Sequence, residues 1–517
     1  MAVELDPDTC HAALRARDRR FDGVFFVGVT STGVYCRPIC PARRPARQRC
    51  RFFPRAALAE LAGFRACLRC RPELAPGRGA VDAVPALARA ALARIDAGYL
   101  DDRSVEALAD RLGVTARHLR RAVGSELGAS PLALAQTRRL ALAKQLLHDS
   151  RLPITDVAFA SGFASLRRFN AAFQARFKRP PTALRRATGR ANVTADPSAA
   201  ASSPRGNNPD HPCSDVVTLR LDHRPPLDWS ALLGFLASRA IPGVEHVDGE
   251  VYRRTAAVDG RVGWIAVRPL VARPAVELTL SASLIPRLAA VVARVRALFD
   301  LDAHPVAIAA ALGASPLLAD AVAARPGLRV PGGFDGFELA IRAVLGQQVS
   351  VAAASTLAGR LVVRLGTPLA GVPDGLSHRF PTAAEVAAAG AEAIAAIGLP
   401  RTRADAIVAL ARAVDAGLEL VAGADPDTTT AALVALPGIG PWTASYLAMR
   451  ALRWPDAFPS GDLIIRRRLG VTTAAAAERA AAGFRPWRAY ATLHLWAASP
   501  PASSANRTAR RPRPRNR

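Results

Sequence analysis

The stretch Leu436-Pro437-Gly438-Ile439-Gly440-Pro441-Trp442-Thr443-Ala444 decides how the second half of the chain is read. Two glycines one residue apart let the backbone turn sharply with its amides exposed, and a helical pattern follows at once. The spacing predicts two helices joined by a hairpin. The exposed amides and the N-terminus of the second helix form a cradle for a phosphate. Gly438 and Gly440 are therefore assigned to DNA-backbone contact, with no reading of base sequence. Alone, this motif predicts binding and not catalysis, and its bland alternative is a plain turn.

Downstream, Phe458-Pro459-Ser460-Gly461-Asp462-Leu463-Ile464-Ile465-Arg466 places one carboxylate, Asp462, at the start of a further helix. Aspartate there is an ordinary N-cap. A hairpin followed by a lone Asp is also the arrangement of helix-hairpin-helix DNA glycosylases. One side chain can serve both roles.

The rest of the chain agrees with a polyanion partner. It has 517 residues, with 69 Lys and Arg against 42 Asp and Glu, a net charge of +27. Six of those charges are arginines in 502–517, and removing them still leaves +21. Such a balance points to nucleic acid or an anionic membrane surface. No run of about 18 apolar residues escapes Arg or Asp, and the acidic start (Glu4, Asp6, Asp8) does not read as a secretory signal. The expectation is a cytoplasmic, nucleoid-associated bacterial protein with double-stranded DNA as its partner and no membrane.

Six of seven cysteines fall before residue 76. Cys36-x3-Cys40 and Cys67-x2-Cys70, 26 residues apart, are spaced for one tetrahedral Zn2+. Cys10, Cys50 and Cys213 have no partner spacing and read as ordinary thiols. A zinc ion on four thiolates carries a net charge of about −2, so an exposed thiolate stays nucleophilic. Arg37, Arg43, Arg44, Arg47, Arg49 and Arg51 flank the set and would draw in phosphates. The spacing by itself favours a zinc staple that only folds a small domain.

Between 81 and 186 the chain reads as short amphipathic helices. Val105–Val114 leading into Thr115–Arg121, with Gly113 at the turn, forms one helix-turn-helix pattern, and Ile154–Phe163 leading into Ala164–Phe173, with Gly162 between, a second. Arg117, Arg120, Arg121, Arg167 and Arg168 are candidates for base or phosphate contact, undivided between the two. An Ala/Ser/Pro/Asn-rich flexible linker covers 187–215. Alternating runs at 217–221, 262–267 and 276–280 predict a small antiparallel sheet, with a helix near 229–239. Helical patterns return from about 286.

Three resemblances give these pieces an identity. Thr32–Arg43 with Ala62–Cys70 resembles the N-terminal domain of Ada proteins. The resemblance implies that Cys36 is both a zinc ligand and the irreversible acceptor of a methyl group from a DNA methylphosphotriester. Phe173–Pro181 resembles the end of AraC-type regulators, which implies that both recognition helices enter major grooves. The stretches Asp228–Ala240, Ala324–Gly332, Val344–Ser350 and Pro486–Trp496, with the hairpin, resemble the alkylpurine glycosylase AlkA. That implies a catalytic Asp462 and a base pocket lined by Trp442, Tyr446 and Trp496. Bifunctional relatives place a Schiff-base Lys where Trp442 stands, and the only lysines are Lys144 and Lys178, so a monofunctional enzyme is expected.

Departures are equally specific. Gln348 occupies the place of a wedge that is often apolar and fills the vacated stack. Ala497 stands where an AlkA-like pocket can carry another aromatic. No Pro-Cys-His-Arg occurs, so direct O6-methylguanine repair is not expected.

The expected fold is multidomain and mainly α. A small zinc-bound α+β domain (1–76) precedes an all-α double helix-turn-helix domain (81–186). A small antiparallel α+β domain (216–300) precedes a helical helix-hairpin-helix glycosylase domain (301–499), and a disordered Arg-rich tail covers 500–517. The expected function joins excision of 3-methyladenine-type purines to methyl transfer onto Cys36 that activates transcription from a promoter. RNA polymerase is the implied partner of an activator. The alternatives are a regulator with a structural zinc and a non-catalytic glycosylase fold, or a glycosylase with accessory DNA-binding domains.

Overall fold

The computed structural model describes residues 5–77, 86–187 and 216–497. The expected tail, nearly all of the linker, and Cys213 lie outside them.

The first unit is built on a four-stranded sheet of order β3-β1-β2-β4. Its strands are β1 (Phe26–Val29), β2 (Val34–Cys36), β3 (Cys50–Phe53) and β4 (Arg65–Ala66). The parallel pairing of β2 with β4 sets Val34 opposite Arg65 and Tyr35 opposite Ala66. That pairing brings the two cysteine pairs together across the intervening chain.

The helix-turn-helix expectation holds. Val105–Arg111 turns at Gly113 (φ 67°) into Ala116–Leu127, and Ile154–Ala160 turns at Gly162 (φ 91°) into Leu166–Phe177. Each second helix opens on a hydroxyl cap, Thr115 accepting from the His118 amide and Ser165 from the Arg168 amide. The buried stripes are Leu119, Val123 and Leu127 in one, and Phe169, Phe173 and Phe177 in the other. A 19-residue helix, Pro131–Asp149, joins the two pairs.

The second sheet has five strands, not the three expected. β5 (Val216–Asp222), β6 (Glu245–Asp248), β7 (Val251–Val258), β8 (Arg261–Leu270) and β9 (Ala275–Ser281) run in the order β5-β9-β8-β7-β6, all antiparallel. The sequence reading missed β6 and β7 because β7 hides its alternation. Tyr252, Arg254, Ala256 and Val258 are all buried, and the inward Arg254 reads as polar. Its guanidinium donates to Glu338 at 2.6 Å, while Arg342 donates to Glu245 at 2.8 Å. This buried ion network ties the sheet to the helix Gly336–Leu345.

One continuous apolar core runs through Tyr35 and Phe64 of the first unit, Leu146 and Phe173 of the second, and Leu219, Leu278 and Phe299 of the third. Two further cores fill the helical half. One surrounds Ile341, Ile407 and Leu447, and the other surrounds Met449, Ile465 and Leu493. Tyr446 packs against both.

Candidate glycosylase pocket and thiolate site

The hairpin forms as read. Pro426–Val434 leads through Gly438, at φ 75°, to Gly440, which caps Pro441–Arg450. Pro at the first helical position lacks the amide that the helix could not use. Gly438 has no room for a side chain, since a Cβ would lie 2.8 Å from the Ala406 Cβ. At Gly440 a Cβ would meet nothing within 4 Å. Gly438 is thus fixed by the fold itself, whereas Gly440 keeps an open face.

Asp462 caps the helix Leu463–Arg468, its Oδ1 accepting from the amides of Ile464 and Ile465 at 2.9 and 3.0 Å. The same carboxylate reaches an aromatic wall. The Trp442 indole donates to Oδ2 at 3.1 Å, and the Trp496 indole donates to Oδ1 at 3.3 Å. Four N–H groups therefore hold one half-buried carboxylate in a single orientation. The Trp442 and Tyr446 rings stack at 5.3 Å and 10°, and Trp496 lies 6.5 Å from Tyr446 at 41°. Asp462, Trp442, Tyr446, Trp496 and Ala497 all line one cavity of about 550 Å³. Phe235, Arg239 and Arg450 form part of its wall.

The sequence reading missed two of the supports here. Arg450 donates to the Tyr446 hydroxyl and to the Pro331 and Gly332 carbonyls. Burial would raise the Tyr446 phenol, but Arg450, Arg239 and Arg342 outweigh it and hold it below its ordinary value. Gln347 is the other, bonded to the hairpin from a neighbouring loop. Arg450 belongs to no motif, and Gln347, though inside the stretch Val344–Ser350, carries no role that its neighbours announce. Each works through a partner more than 90 residues away, except where Arg450 meets Tyr446 one helical turn back. Gln348 is exposed at the tip of that loop, with φ 56°. Lys144 is fully buried, donating to the Cys67 carbonyl and Glu73, and Lys178 ends the helix Leu166–Phe177.

Cys36, Cys40, Cys67 and Cys70 lie together, their sulfur atoms all within 4.8 Å of one another. Four sulfurs at the corners of a zinc tetrahedron stand about 3.8 Å apart, so the donor set fits one Zn2+. Amides of Arg37 and Arg69 point at the Cys70 and Cys67 sulfurs at 3.4 and 3.3 Å. Cys36 is the most accessible of the four at 9%. Cys10 stands apart, its thiol pushed up to about 11 by burial, as expected of an ordinary core cysteine.

Arg43, Arg44, Arg49 and Arg51 are exposed around this site. Arg37 is not, and its expected attraction for phosphate is corrected. It is 4% exposed and bound to Asp22 and, at 3.0 Å, to Asp222 of β5. A guanidinium already paired with one buried and one part-buried carboxylate has no donors to offer DNA. In the helix-turn-helix unit Arg117, Arg120, Arg121, Arg167 and Arg168 are all exposed, with Arg120 paired to Glu106.

Comparison with known proteins covers the same four pieces. Residues 9–73 match the metal binding domain of Ada, 108–187 a helix-turn-helix domain, and 218–335 the AlkA N-terminal domain. Residues 341–480 match the HhH-GPD superfamily base excision DNA repair protein. The bifunctional transcriptional activator/DNA repair enzyme AlkA of Mycobacterium tuberculosis is 42% identical over 501 residues, 95% of this chain and 96% of that one. DNA-3-methyladenine glycosylase 2 of Escherichia coli is 41% identical over 277 residues, 53% of this chain and 95% of that one. The bifunctional activator/repair enzyme Ada of Escherichia coli is 34% identical over 142 residues, 27% of this chain and 38% of that one. Spanned almost end to end by the first of these relatives, the chain belongs to the family of bifunctional transcriptional activator/DNA repair enzymes AlkA.

Proposed function

We propose that this protein releases alkylated purines of the 3-methyladenine class from double-stranded DNA and that it also accepts a methyl group on Cys36 and regulates transcription. The observation that carries the glycosylase reading is Asp462, held by four N–H donors inside an aromatic-walled cavity. A purine methylated at N3 or N7 is cationic and already a good leaving group. The faces of Trp442, Tyr446 and Trp496 hold such a base once it leaves the stack. The glycosidic electron pair departs with the base, and positive charge builds on the sugar. The Asp462 carboxylate stabilises that charge and orients the water whose oxygen bonds to the anomeric carbon as its proton passes to solvent. Trp442 occupies the Schiff-base position, so the product is an abasic site with an intact strand.

Zinc bound to the four cysteines supplies the positive charge that keeps their sulfurs as thiolates. The Cys36 sulfur attacks the methyl carbon of a phosphotriester, and the phosphate oxygen leaves as an ordinary phosphodiester anion. One thiolate becomes a neutral thioether, so the exposed Arg43, Arg44 and Arg49 face DNA with less opposing charge. Tighter DNA binding follows, with promoter contact through Arg117, Arg121, Arg167 and Arg168 and recruitment of RNA polymerase as its consequence.

Both activities are read from one duplex methylated at bases and phosphates. Wild type releases methylpurines and gains one methyl on the Cys36 peptide by mass spectrometry. Asp462→Asn loses release by 100-fold or more, on the order of what a transition-state charge partner is worth, and keeps methyl uptake. Unchanged purine release by Asp462→Asn refutes the glycosylase assignment. An unmodified Cys36 beside consumed phosphotriester refutes the acceptor assignment.

A further inference from the structure

Gln347 lies in the short connection between the helices Gly336–Leu345 and Val351–Leu365. Its side-chain nitrogen donates to the Gly438 carbonyl at 2.9 Å and to the Thr443 hydroxyl at 3.3 Å. A primary amide has two N–H donors, so the hairpin takes both. Gly438 is the bend of the hairpin and Thr443 is buried in the first turn of the helix that follows. One side chain thereby pins two successive parts of the hairpin to the loop.

The loop's remaining hydrogen bonds are local. The Gln347 amide donates to Val344 and the Ser350 hydroxyl caps its own helix. Gln348, next in the chain, is exposed and sits in the left-handed region at φ 56°. That backbone turns Gln348 outward while Gln347 stays anchored. The hairpin turn and the exposed Gln348 are thus held at a fixed separation by one amide.

The geometry points to Gln347 as a positioning residue for base excision. It rests on the glycosylase reading above, under which the hairpin grips the backbone and Gln348 stands in the wedge position, and it sets the distance between the two. Release of the base needs both contacts at once, because a backbone held without a filled stack lets the base return. Loss of alignment by about 1 Å is enough to cost on the order of 100-fold in rate. Simple duplex binding needs only the hairpin and the basic surface, and is indifferent to the strut.

The test uses the full chain and a duplex with one 7-methylguanine beside 2-aminopurine. Gln347→Ala is expected to slow single-turnover base release by about 10-fold or more and to weaken the 2-aminopurine signal of flipping. Its affinity for undamaged duplex should stay at the wild-type value, and its thermal midpoint should drop only slightly, by what two lost hydrogen bonds of ordinary strength account for. Gln347→Glu, which keeps the size but turns an acceptor toward the Gly438 carbonyl while the Thr443 hydroxyl can still donate to it, should be at least as slow. In a Gln348→Ala background, Gln347→Ala should cost nothing further, since the strut then has nothing to aim. Wild-type release by Gln347→Ala, losses that add in the double variant, or a fall in undamaged-duplex affinity matching the fall in rate would each overturn the assignment. Failure of the glycosylase reading is told apart by Asp462→Asn, which in that case would release the base as wild type does.

Discussion

At the scale of a residue, Asp462 shows why a cap and a reacting group need not compete. The helix amides take one oxygen, and the Trp442 indole takes the other. Asp462→Asn keeps the acceptor for the helix but turns an amide toward the Trp442 N–H. The expectation is a collapse of purine release with a thermal midpoint close to wild type. Asp462→Ala loses the cap as well and should also cost about 1 kcal/mol of stability. Chemical denaturation of both variants beside the release assay separates the two roles. Trp442→Phe keeps the ring stacked on Tyr446 but deletes one donor to the carboxylate. A hydrogen bond to a charged group is worth about 1.5–3 kcal/mol, so release should slow by roughly 10-fold to 150-fold if that energy orients the carboxylate for reaction. Equal rates for Trp442→Phe and wild type would mean that the indole N–H does not orient Asp462. Asp462, Trp442, Tyr446 and Trp496 were legible in the sequence because they sit in or near motifs. The roles of Arg450 and of Gln347, the latter inside the quoted stretch Val344–Ser350, were not, since nothing local distinguishes a supporting arginine or glutamine from a solvated one.

At the scale of an element, the two hairpin glycines separate what the fold requires from what a ligand requires. Gly438→Ala puts a Cβ at positive φ and 2.8 Å from Ala406. Strain of about 1–3 kcal/mol is expected, seen as a lower thermal midpoint with or without DNA. Gly440→Ala meets no protein atom and has an extended backbone at φ −89° and ψ 173°. It should leave the midpoint alone and weaken binding to undamaged duplex, because the new methyl stands where a phosphate approaches. If Gly440→Ala binds duplex as tightly as wild type, the hairpin is only a turn. The same distinction explains what could be read in advance. Turns and caps announce themselves in a few adjacent residues, as Gly113 with Thr115 and Gly162 with Ser165 do. Strand β7 did not, because a buried Arg254 broke the alternation that marks a strand. Its reason for being buried, Glu338, lies far along the chain.

At the scale of the whole molecule, the units meet through polar junctions as well as a shared core. His223, at the end of β5, is buried, and burial lowers its ring to about 4. His494, in the helical half, is lowered to about 4 for the same reason. Both are neutral in the fold, whereas the unfolded chain takes up their protons below about 6.5. Stability is therefore full above about pH 6.5 and falls as pH drops toward 4. His223→Gln with His494→Gln should flatten the midpoint-against-pH curve in that window, and an unaltered curve would place the acid loss elsewhere. A second junction links the thiolate site to the rest. Arg37 directly follows Cys36, its amide faces the Cys70 sulfur, and its guanidinium binds Asp22 and Asp222. Lys144 of the long helix holds the Cys67 carbonyl. Loops that carry the four cysteines are thus anchored to both neighbouring units. Metal loss should loosen those anchors, so a chelator is expected to raise hydrogen exchange in β5 and in Pro131–Asp149 as well as in the first sheet. Asp222→Ala, which leaves a buried guanidinium with Asp22 as its remaining partner, should reproduce the β5 effect with metal bound, at a cost of about 1.5–3 kcal/mol for the lost charged hydrogen bond. Exchange that rises only in the first sheet on chelation would show that the units melt independently and that the Arg37 junction transmits nothing.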